Sequence, residues 1–554
     1  MPVPEFRWSE YPVTAAGRAP GTAPAPQPAS AEAEAASAAG SVPLPDLRAW
    51  AGPLDKAEIL LESAAEVEHA LMVQYLYAAW SLRSADEVDP DHAGVLDDGA
   101  ADSWPRTLLG VACEEMGHLM TVQDLLLLIG LPPNLEREDF PPRKDLYPFP
   151  LHLQPLTRTS LARYVVAEAA ADAPGIEDVV AVTQGAGGPR VNRVGILYGL
   201  LGLVFATPEQ VQEGAGGDPW DAMVARIAEA AYQQAPPEAW HLPDEAFLDG
   251  AAAQQATPSD WEVGGVRVHR VTGRAGARAA VRDIGEQGEG PTSSGGRSHF
   301  ERLLRMYRGH GGDPAFPDGE WTPTRDVPTD PRPAAFADAR TRRWAELADL
   351  RYGLLLGLVE HHLVAAGDDR RLLTAWIFAE MRSRLAVLAR RLTTLPIGGS
   401  GGDVAGAPFT LPVPIHLPGA EPARWQVHAQ RLQAAVDTVE ALQADAADAT
   451  DPWLQALADS DRARLAFVAA RTAPPTATTS FVRDIGPLFR PVDVEHMTVF
   501  GVDLSSYEGV RDSAETILQR LQGDGPVMPP RPHRRWTAAQ VDLFARWIAE
   551  GHPA

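Results

Sequence analysis

The amino-acid sequence predicts an all-α fold, in which a four-helix bundle with added helices precedes a small helical C-terminal domain. Apolar residues recur at steps of three and four over residues 54–83 and again over 104–129, which is typical of long amphipathic helices. Three later segments, at about 335–366, 370–392 and 421–446, show helical patterns of similar length. Helices therefore account for most of the chain, and the bundle is expected near its N-terminal end.

The elements of the bundle follow from local signals. The first helix, 54–83, takes Asp55 as its cap, and the second begins at Trp104 and ends at Gly130. The acidic, Gly-containing residues 84–103 between them predict a loop. The remaining predicted elements are an extended crossover at 132–155, helices at 159–170, 191–206, 218–234, 275–290 and 298–307, and a small hairpin at 261–272 around Gly264 and Gly265.

The composition limits the range of functions. A formal charge of −26 over 554 residues argues against nucleic acid as a partner, because phosphate binding needs clustered Lys and Arg. No run of about eighteen apolar residues occurs, so no membrane span is expected, and the N-terminus lacks the pattern of a secretory signal. The single cysteine, Cys113, leaves no internal disulfide and no Cys-rich metal site. The expected location is cytoplasmic.

Acidic side chains interrupt the apolar faces of the first two helices. Glu68 lies on the stripe of the first helix, and Glu115 and His118 lie one turn apart on the stripe of the second. A carboxylate in apolar surroundings is costly unless a cation or a proton meets it. Glu and His three residues apart can close on one metal ion. The alternative is a partly exposed Glu and His with neighbours that only look apolar.

A second Glu-x-x-His pair arises if residues 291–297 form a loop inserted into a helix. Removing that loop brings Glu289 next to the segment that holds His299, and Glu286 is a further candidate. Two such pairs, with a Glu from another helix, supply most of a carboxylate-bridged dimetal site. These ligands suit iron or manganese, and zinc stays open. Vacant positions on the metal would bind dioxygen or a chelating substrate.

With these residues in view, the sequence resembles ferritin-like proteins. Residues 68–75 and 115–132 are similar to the first two helices of bacterioferritin-type proteins, and residues 54–410 resemble the ferritin-like family named for iminophenylpyruvate dimer synthases. The shared phrases are EHALMVQYLYA at 68–78, REDFP at 137–141, YPFP at 147–150, GEG at 288–290 with SHF at 298–300, and AGAPF at 405–409. The resemblance implies a metal-bearing bundle, often encoded among biosynthetic enzymes, some of which couple oxidised aromatic imino acids.

The resemblance also assigns metal ligands. They are Glu68, Glu115, His118, Glu289 and His299, with Glu286 as an additional position. There is one departure, because relatives often have a carboxylate where this chain has Ile196, just before Leu197 and Tyr198. Glu168, in the 159–170 helix, is either a substitute donor or an ordinary capped or solvated Glu. The ligand set therefore fits one ion or two.

The C-terminal segment resembles cytochrome c in plan. The shared phrases are FVRDIGPLF at 481–489, DLSSY at 503–507, VMPP at 527–530 and LFARWI at 543–548. That family attaches haem through Cys-x-x-Cys-His, and this segment has no cysteine, so covalent haem is excluded. The expectation is a scaffold that lacks its cofactor. The alternative is non-covalent haem held between His496 and Met528.

These patterns divide the chain into four parts. Residues 1–50 are predicted to be a flexible Ala/Pro-rich arm, 51–330 the ferritin-like metal-binding bundle, 331–475 accessory helices packed on the bundle, and 476–554 the cytochrome c-like domain. Among the accessory helices, Glu360-His361-His362 is interpreted as a polar helix edge rather than a second metal site.

The predicted function is a metal-dependent oxidoreductase with iron as cofactor, acting with dioxygen on a small amino-acid-derived or aromatic substrate in a biosynthetic pathway. Tyr198 is the candidate catalytic residue and, with Tyr75 and Trp80, a candidate pocket wall; ordinary aromatic core is the alternative. Competing functions are an iminophenylpyruvate dimer synthase-like coupling enzyme, ferritin-like metal storage, and a scaffold whose metal only staples helices. Expected partners are the substrate and dioxygen, with a homo-oligomer left open.

Overall fold

The fold is mostly helical in the computed structural model, and the all-α prediction is confirmed. The described residues are 8–12, 41–142, 151–169, 173–184, 193–248, 250, 255–262, 265–289, 297–319, 321–398, 402–411, 416–469, 471, 479–498, 500–522 and 536–554. The chain divides into two compact units. The first comprises Met1–Arg332 and Ala389–Ala407, and the second Pro333–Leu388 and Pro408–Ala554.

The first unit contains the helices that the sequence predicts for the bundle, each within about one turn of its predicted ends. The α-helices are α1 Pro53–Ser81, α2 Pro90–Leu96, α3 Trp104–Leu128, α4 Arg158–Ala167, α5 Glu177–Gln184, α6 Arg193–Phe205, α7 Pro208–Gly214, α8 Pro219–Ala231, α9 Pro258–Trp261, α10 Gly273–Glu289 and α11 His299–Arg308. Short 3-10 turns lie at Ala85–Glu87, Pro237–Ala239 and Asp244–Ala246. Helix α2 corrects the predicted loop 84–103.

Helices α1, α3, α6 and α10 form the four-helix bundle. Helix α1 packs on α3 and α6, α6 packs on α10, and α10 packs on α3, so the four close into a ring. Helix α6 has an almost wholly apolar sequence, and Leu200, Leu203 and Phe205 are completely buried. Each such side chain stabilises the fold by about 1.5–3 kcal/mol on burial. The acidic and imidazole residues on α1 and α3 therefore face a water-poor interior.

The start of α1 differs from the prediction. Gly52, not Asp55, is the N-cap, and Asp55 occupies the third helical position. Its Oδ2 accepts a hydrogen bond from the Gly52 backbone N–H at 3.0 Å. The carboxylate thus satisfies a backbone donor and lies near the positive end of the helix dipole.

The segment 265–272 crosses α3 at Gly117, within the Glu-x-x-His turn. A Cβ added at Gly117 would lie 2.1 Å from the Arg267 carbonyl oxygen. Only glycine lets the two backbones approach this closely. The glycine between Met116 and His118 is therefore required by packing.

The predicted hairpin at 261–272 is wrong, because none of its described residues forms a strand. Val266 and Val268 are buried and alternate with exposed neighbours, as in a strand. Two of its backbone N–H groups donate to side chains: that of His269 donates to Thr121 Oγ1, and that of Val271 donates to Gln255 Oε1, both at 3.1 Å. The sequence alternates with a period of two because the segment is extended and lies on a helix, so that every second side chain is buried.

The N-terminal arm also differs from its prediction. Strands β1 Trp8–Pro12 and β2 Ser41–Pro45 pair antiparallel, with Trp8 opposite Pro45. In β2, Val42 and Leu44 are buried, with 5% and 0% of their surface exposed. Residues 8–12 and 41–50 are therefore ordered against the first unit, whereas 13–40 lie outside the described residues. The apolar alternation of β2 is too short to predict a strand without its partner.

The remaining helices begin after residue 332. They are α12 Ala339–Val364, α13 Gly367–Ala379, α14 Ala386–Leu392, α15 Glu421–Gln443, α16 Pro452–Ala469, α17 Pro491–Thr498, α18 Tyr507–Gln522 and α19 Ala538–Ala549, with π-helical segments at Glu380–Leu385 and Phe481–Ile485 and 3-10 turns at Pro333–Ala335 and Gly486–Leu488. Helix α16 was not predicted. The π-helical segment splits the predicted helix 370–392. Among the described residues, no helix combines the length and the apolar character that a membrane span requires.

The polar edge predicted at Glu360-His361-His362 is wrong for both histidines, which are completely buried. His361 Nε2 lies 2.9 Å from Glu421 Oε1, and His361 Nδ1 lies 3.0 Å from His428 Nε2. His361 is thus satisfied within the second unit by another helix, α15, whereas His362 Nδ1 lies 3.1 Å from Thr374 Oγ1 on α13. Sequence spacing on α12 alone does not reveal that partner.

The C-terminal helices enclose an apolar cluster of their own, built around Phe481, Phe544 and Trp547. The Phe544 and Trp547 rings lie 5.5 Å apart. The side chain of His496 and the whole of Met528, the pair considered for haem, lie outside the described residues. Aromatic packing is what the structure shows in this domain.

Candidate metal centre

Five acidic and imidazole side chains converge inside the bundle as two overlapping triads. The first triad is Glu68, Glu115 and His118, and the second is Glu115, Glu168 and His299. In each triad the ligand atoms lie within 4.8 Å of one another. All five residues are at most 6% exposed. Helices α1, α3, α4 and α11 contribute them, and Glu115 belongs to both triads.

The first triad centres on the inner nitrogen of His118. His118 Nδ1 lies 3.2 Å from Glu68 Oε2 and 3.0 Å from Glu115 Oε2. Its outer nitrogen, Nε2, lies 2.9 Å from Gln287 Oε1 on α10. One ring nitrogen therefore faces two carboxylates and the other an amide oxygen.

The second triad repeats this arrangement. His299 Nδ1 lies 3.1 Å from Glu115 Oε1 and 3.5 Å from Glu168 Oε2. Its outer Nε2 lies 2.8 Å from Glu114 Oε2. The Glu115 Oε1 atom is buried and makes no hydrogen bond of acceptable geometry. That oxygen and the His299 nitrogen form an ion pair when the imidazole is protonated.

Both histidines face acceptors on both sides, which constrains what lies between the side chains. The outer nitrogens face oxygen acceptors and must donate, so a neutral imidazole would direct its Nδ1 lone pair at carboxylate oxygens. Lone pairs of His118 and His299 that face carboxylates in a buried site repel them unless a proton or a cation lies between. The arrangement fits a metal held by Nδ1 of each histidine.

Each triad has a tyrosine bonded to its unshared carboxylate. Tyr198 on α6 donates to Glu68 Oε1, and Tyr75 on α1 donates to Glu168 Oε1. Both tyrosines are completely or almost completely buried. The second oxygen of each carboxylate is left to face its triad. The hydroxyls therefore orient the two terminal carboxylates.

The pKa values of the site residues indicate which of them bind protons when no cation is present. Burial and the neighbouring Glu115 raise the pKa of Glu68 to about 8. Burial opposes the charged form of Glu115 as well, but His299 and His118 bring its pKa below the ordinary value. Burial likewise opposes the charged form of His118, yet its carboxylate partners raise its pKa to about 10.

His299 behaves in the same way, because its carboxylate neighbours outweigh burial and raise its pKa well above the ordinary value. These upward shifts favour protons on Glu68, His118 and His299 when no metal is bound. A cation that binds between the carboxylates would displace those protons.

Local sequence fixes two of these side chains. Ser298 caps α11: its Oγ accepts from the Glu301 N–H at 3.1 Å, and its own N–H donates to Glu301 Oε2 at 3.2 Å. This capping box sets the position of His299, the first helical residue. Glu168 is the C-cap of α4, and a Cβ at Gly288 would lie only 3.1 Å from its Oε2. Glycine at 288 leaves room for that carboxylate.

The structure brings together four of the six predicted metal ligands: Glu68, Glu115, His118 and His299. Glu286 is placed elsewhere, because it accepts from Arg282 Nε at 2.7 Å on the outer side of α10. The side chain of Glu289 lies outside the described residues. Tyr198, the predicted catalytic residue, contacts the cluster through Glu68.

Glu168 belongs to the second triad, although the sequence left open whether it is a substitute donor or an ordinary capped or solvated Glu. Ile196, where relatives often have a carboxylate, is on the bundle helix α6 but supplies no donor. The signal for Glu168 was its position on the same side of α4 as Leu161, Tyr164 and Val165, all of them buried. What the sequence did not reveal is that the end of α4 reaches the bundle interior.

A pocket adjoins both triads. It contains about 350 Å³ of empty space, part of it open to solvent. The walls beyond the triads are mainly small or apolar: Leu71, Ala167, Val194, Gly195, Tyr198, Ile284, Gly285 and Gly288. Its described lining includes no Lys or Arg.

Comparison with family models matches residues 61–308 to a family described as Ferritin-like. The matched part contains both triads, and this part of the first unit is similar to ferritin-like proteins. Comparison with curated proteins gave no match, and comparison with solved structures gave none.

Proposed function

We propose that the ferritin-like domain holds a carboxylate-bridged pair of metal ions, with iron as the resident metal, and that the chain is an oxidoreductase. Its substrate would be a small amino-acid-derived or aromatic molecule, with dioxygen as the oxidant. Glu115 would bridge the two positions. Glu68 and His118 would complete one position, and Glu168 and His299 the other. Oxygen and nitrogen ligands of this type suit iron or manganese.

One observation carries the proposal. The inner nitrogens of His118 and His299 lie 3.0 and 3.1 Å from the two oxygens of the Glu115 carboxylate, and all three side chains are buried. The outer nitrogens have acceptors already, and Glu115 Oε1 has no hydrogen-bond partner. A cation satisfies all these atoms at once, whereas protons satisfy them only pairwise.

The protein's own groups have distinct parts in this chemistry. Bound iron would supply the electrons that reduce dioxygen. Tyr198, which donates to Glu68 and also lines the pocket, is placed to hold or deliver a proton at its hydroxyl oxygen. The apolar walls around Gly285 and Gly288 would receive the hydrocarbon part of the substrate and exclude water.

The substrate class follows from the pocket and from the family resemblance. Because the described lining has no Lys or Arg, a substrate carboxylate would have no cationic side chain there and would be expected to reach the metal. An aromatic or aliphatic side chain would face the remaining, mainly apolar wall. Amino acids and the imino acids derived from them meet both conditions. The alternative reaction for substrates bound in this pocket is the coupling of imino acids.

The test is metal-dependent turnover. Purified chain would be analysed for metal, stripped with a chelator, reloaded anaerobically with Fe²⁺, and mixed with aromatic amino acids while dissolved oxygen is followed. Oxygen consumption that requires both iron and substrate supports the proposal. Full turnover by the stripped protein contradicts it. A many-subunit shell in light scattering, with iron uptake but no substrate dependence, would indicate storage instead.

A further inference from the structure

The two triads are matched in their inner ligands. Each has the shared Glu115, one further glutamate held by a tyrosine hydroxyl, and one histidine with Nδ1 facing the carboxylates. Among the described residues, the groups that distinguish the two positions therefore lie farther out. The outer nitrogens of the two histidines show such a difference.

The outer nitrogen of His118 faces a neutral amide, and that of His299 faces a carboxylate. His118 Nε2 lies 2.9 Å from Gln287 Oε1, whereas His299 Nε2 lies 2.8 Å from Glu114 Oε2. Arg302 also donates to Glu114 Oε2 and keeps the carboxylate in place. Both acceptors fix the same ring tautomer, with the proton on Nε2 and the lone pair on Nδ1.

The two acceptors differ in how strongly they polarise the ring. A carboxylate that accepts from the outer N–H increases the electron density on the inner nitrogen and so raises its basicity toward a metal. An amide oxygen carries no net charge and has a weaker effect. Glu114 is only partly exposed, with 32% of its side chain accessible, so water screens this effect incompletely.

We propose that the two metal positions are unequal, that the Glu115/Glu168/His299 position fills first, and that Glu114 sets this order as a positioning residue. The inference rests on the proposed metal centre and adds an order of filling to it. The Gln287 side then holds the more weakly bound and more readily exchanged ion.

The experiment is a titration of the metal-free full chain with Mn²⁺, with free Mn²⁺ measured by electron paramagnetic resonance. Wild-type protein is expected to bind in two steps that differ about tenfold or more in dissociation constant. Glu114→Gln should weaken the tighter step about 10–100-fold, so that the steps approach each other. Gln287→Glu should tighten the weaker step.

Control variants identify the positions. Glu286→Gln removes a charge from α10 outside the triads and should change neither step. His299→Ala should remove the tighter step and His118→Ala the weaker one. Circular dichroism would establish that each variant is folded, and Gln287→Glu tests the order even if Glu114→Gln does not fold.

Two results would overturn the inference alone: two equal steps in the wild type, or a weaker step that responds to Glu114→Gln while the tighter step does not. The absence of any Mn²⁺ binding by the wild type would overturn the inference together with the proposed metal centre. Tight binding that His118→Ala abolishes and His299→Ala spares would reverse the order.

Discussion

Single residues decide the chemistry of this protein, and Glu115 is the most consequential of them. Its two oxygens face two different histidines, at 3.0 Å from His118 and 3.1 Å from His299. A buried carboxylate between two imidazoles explains why the site needs protons or cations. Other residues of the cluster contact one triad each.

Glu115→Gln is expected to lower bound metal from two ions toward none and to abolish metal-dependent turnover. The amide keeps the shape but removes the charge that both positions share. Elemental analysis and oxygen consumption would check it. Glu286→Gln, which removes a charge on the outer side of α10, should retain both the bound metal and the turnover. An equal loss of metal in the two variants would contradict the assignment of Glu115 as the shared ligand.

Tyr198→Phe should lower the turnover number by about 100-fold while both ions stay bound, if its hydroxyl supplies a proton. Tyr75→Phe is the matched control, because Tyr75 also donates to a triad carboxylate but does not line the pocket. Its turnover should fall less. Steady-state kinetics on metal-loaded protein would measure both. Equal effects would assign Tyr198 an orienting role only.

The stability of the metal-free protein should depend on pH. The pKa of Glu68 in the folded state, about 8, lies above its ordinary value of 4.5, so the folded state binds the proton more tightly. This contribution is complete below pH 4.5 and is lost as pH rises through about 8. Urea unfolding at about pH 6 and about pH 9 should show lower stability at the higher pH.

The raised pKa of His118, about 10, acts in the same direction, because its contribution is also lost as pH rises. Glu68→Gln is the control, since its amide cannot ionise; it should reduce the loss of stability between the two pH values. Bound metal should reduce it as well, because the cation replaces the protons. A metal-free wild type that is more stable at the higher pH would be inconsistent with these charges.

At the residue scale, the sequence revealed the donors that interrupt an apolar stripe. Glu68, Glu115 and His118 are of this kind, because periodicity alone places them on inward faces. Glu168 could not be assigned, since whether the end of α4 reaches the bundle depends on tertiary packing. Glu286 was misplaced because its ion pair with Arg282 turns it outward.

At the scale of elements, helices position the site and close backbone contacts fix their spacing. The helix pair α1 and α3 carries three of the five residues of the two triads. The crossing of segment 265–272 over Gly117 holds α3 at the turn between Glu115 and His118. A change at this crossing should therefore affect the metal site without altering a ligand.

Gly117→Ala is expected to destabilise the protein by about 1–3 kcal/mol and to weaken metal binding, because its Cβ would overlap the Arg267 carbonyl oxygen. Gly94→Ala is the matched control: it lies in helix α2 with nothing within 4 Å of its added Cβ. That variant should be neutral or slightly stabilising. Chemical unfolding and Mn²⁺ titration would compare them. Equal stability of the two variants would contradict the packing argument.

Element types were predictable where periodicity was long and uninterrupted. The bundle helices meet this condition, and their ends fall within about one turn of the prediction. The segment 261–272 was predicted wrongly, because alternating valines packed on a helix have the same period as a strand. The β1–β2 pair was missed because its strands are short and a partner distant in sequence completes the pairing.

At the scale of the whole molecule, the candidate metal centre lies entirely within the first unit, and the second unit has buried interactions of its own. In the second unit, Arg351 is fully buried and pairs with Glu380 and Asp461, both at 2.5 Å. Metal bound at the two triads would therefore stabilise the first unit directly. The sequence suggested separate domains but not the return of Ala389–Ala407 to the first unit.

Calorimetry should accordingly show one unfolding transition that depends on metal and one that does not. Loading the protein at about 100 times the dissociation constant adds about 2.7 kcal/mol to the metal-binding unit, which raises its Tm by roughly 3–8 °C. The second transition should stay within error. Glu115→Gln should remove the metal-dependent shift. A single transition, or equal shifts of two transitions, would argue against independent units.

Whether the two triads hold metal is tested most directly by anomalous scattering from crystals of the iron- or manganese-loaded chain. Two anomalous peaks are expected inside the bundle, one among Glu68, Glu115 and His118, and one among Glu115, Glu168 and His299. Glu115 should contact both. Loaded crystals with no peak at either triad, or with peaks only elsewhere, would contradict this expectation.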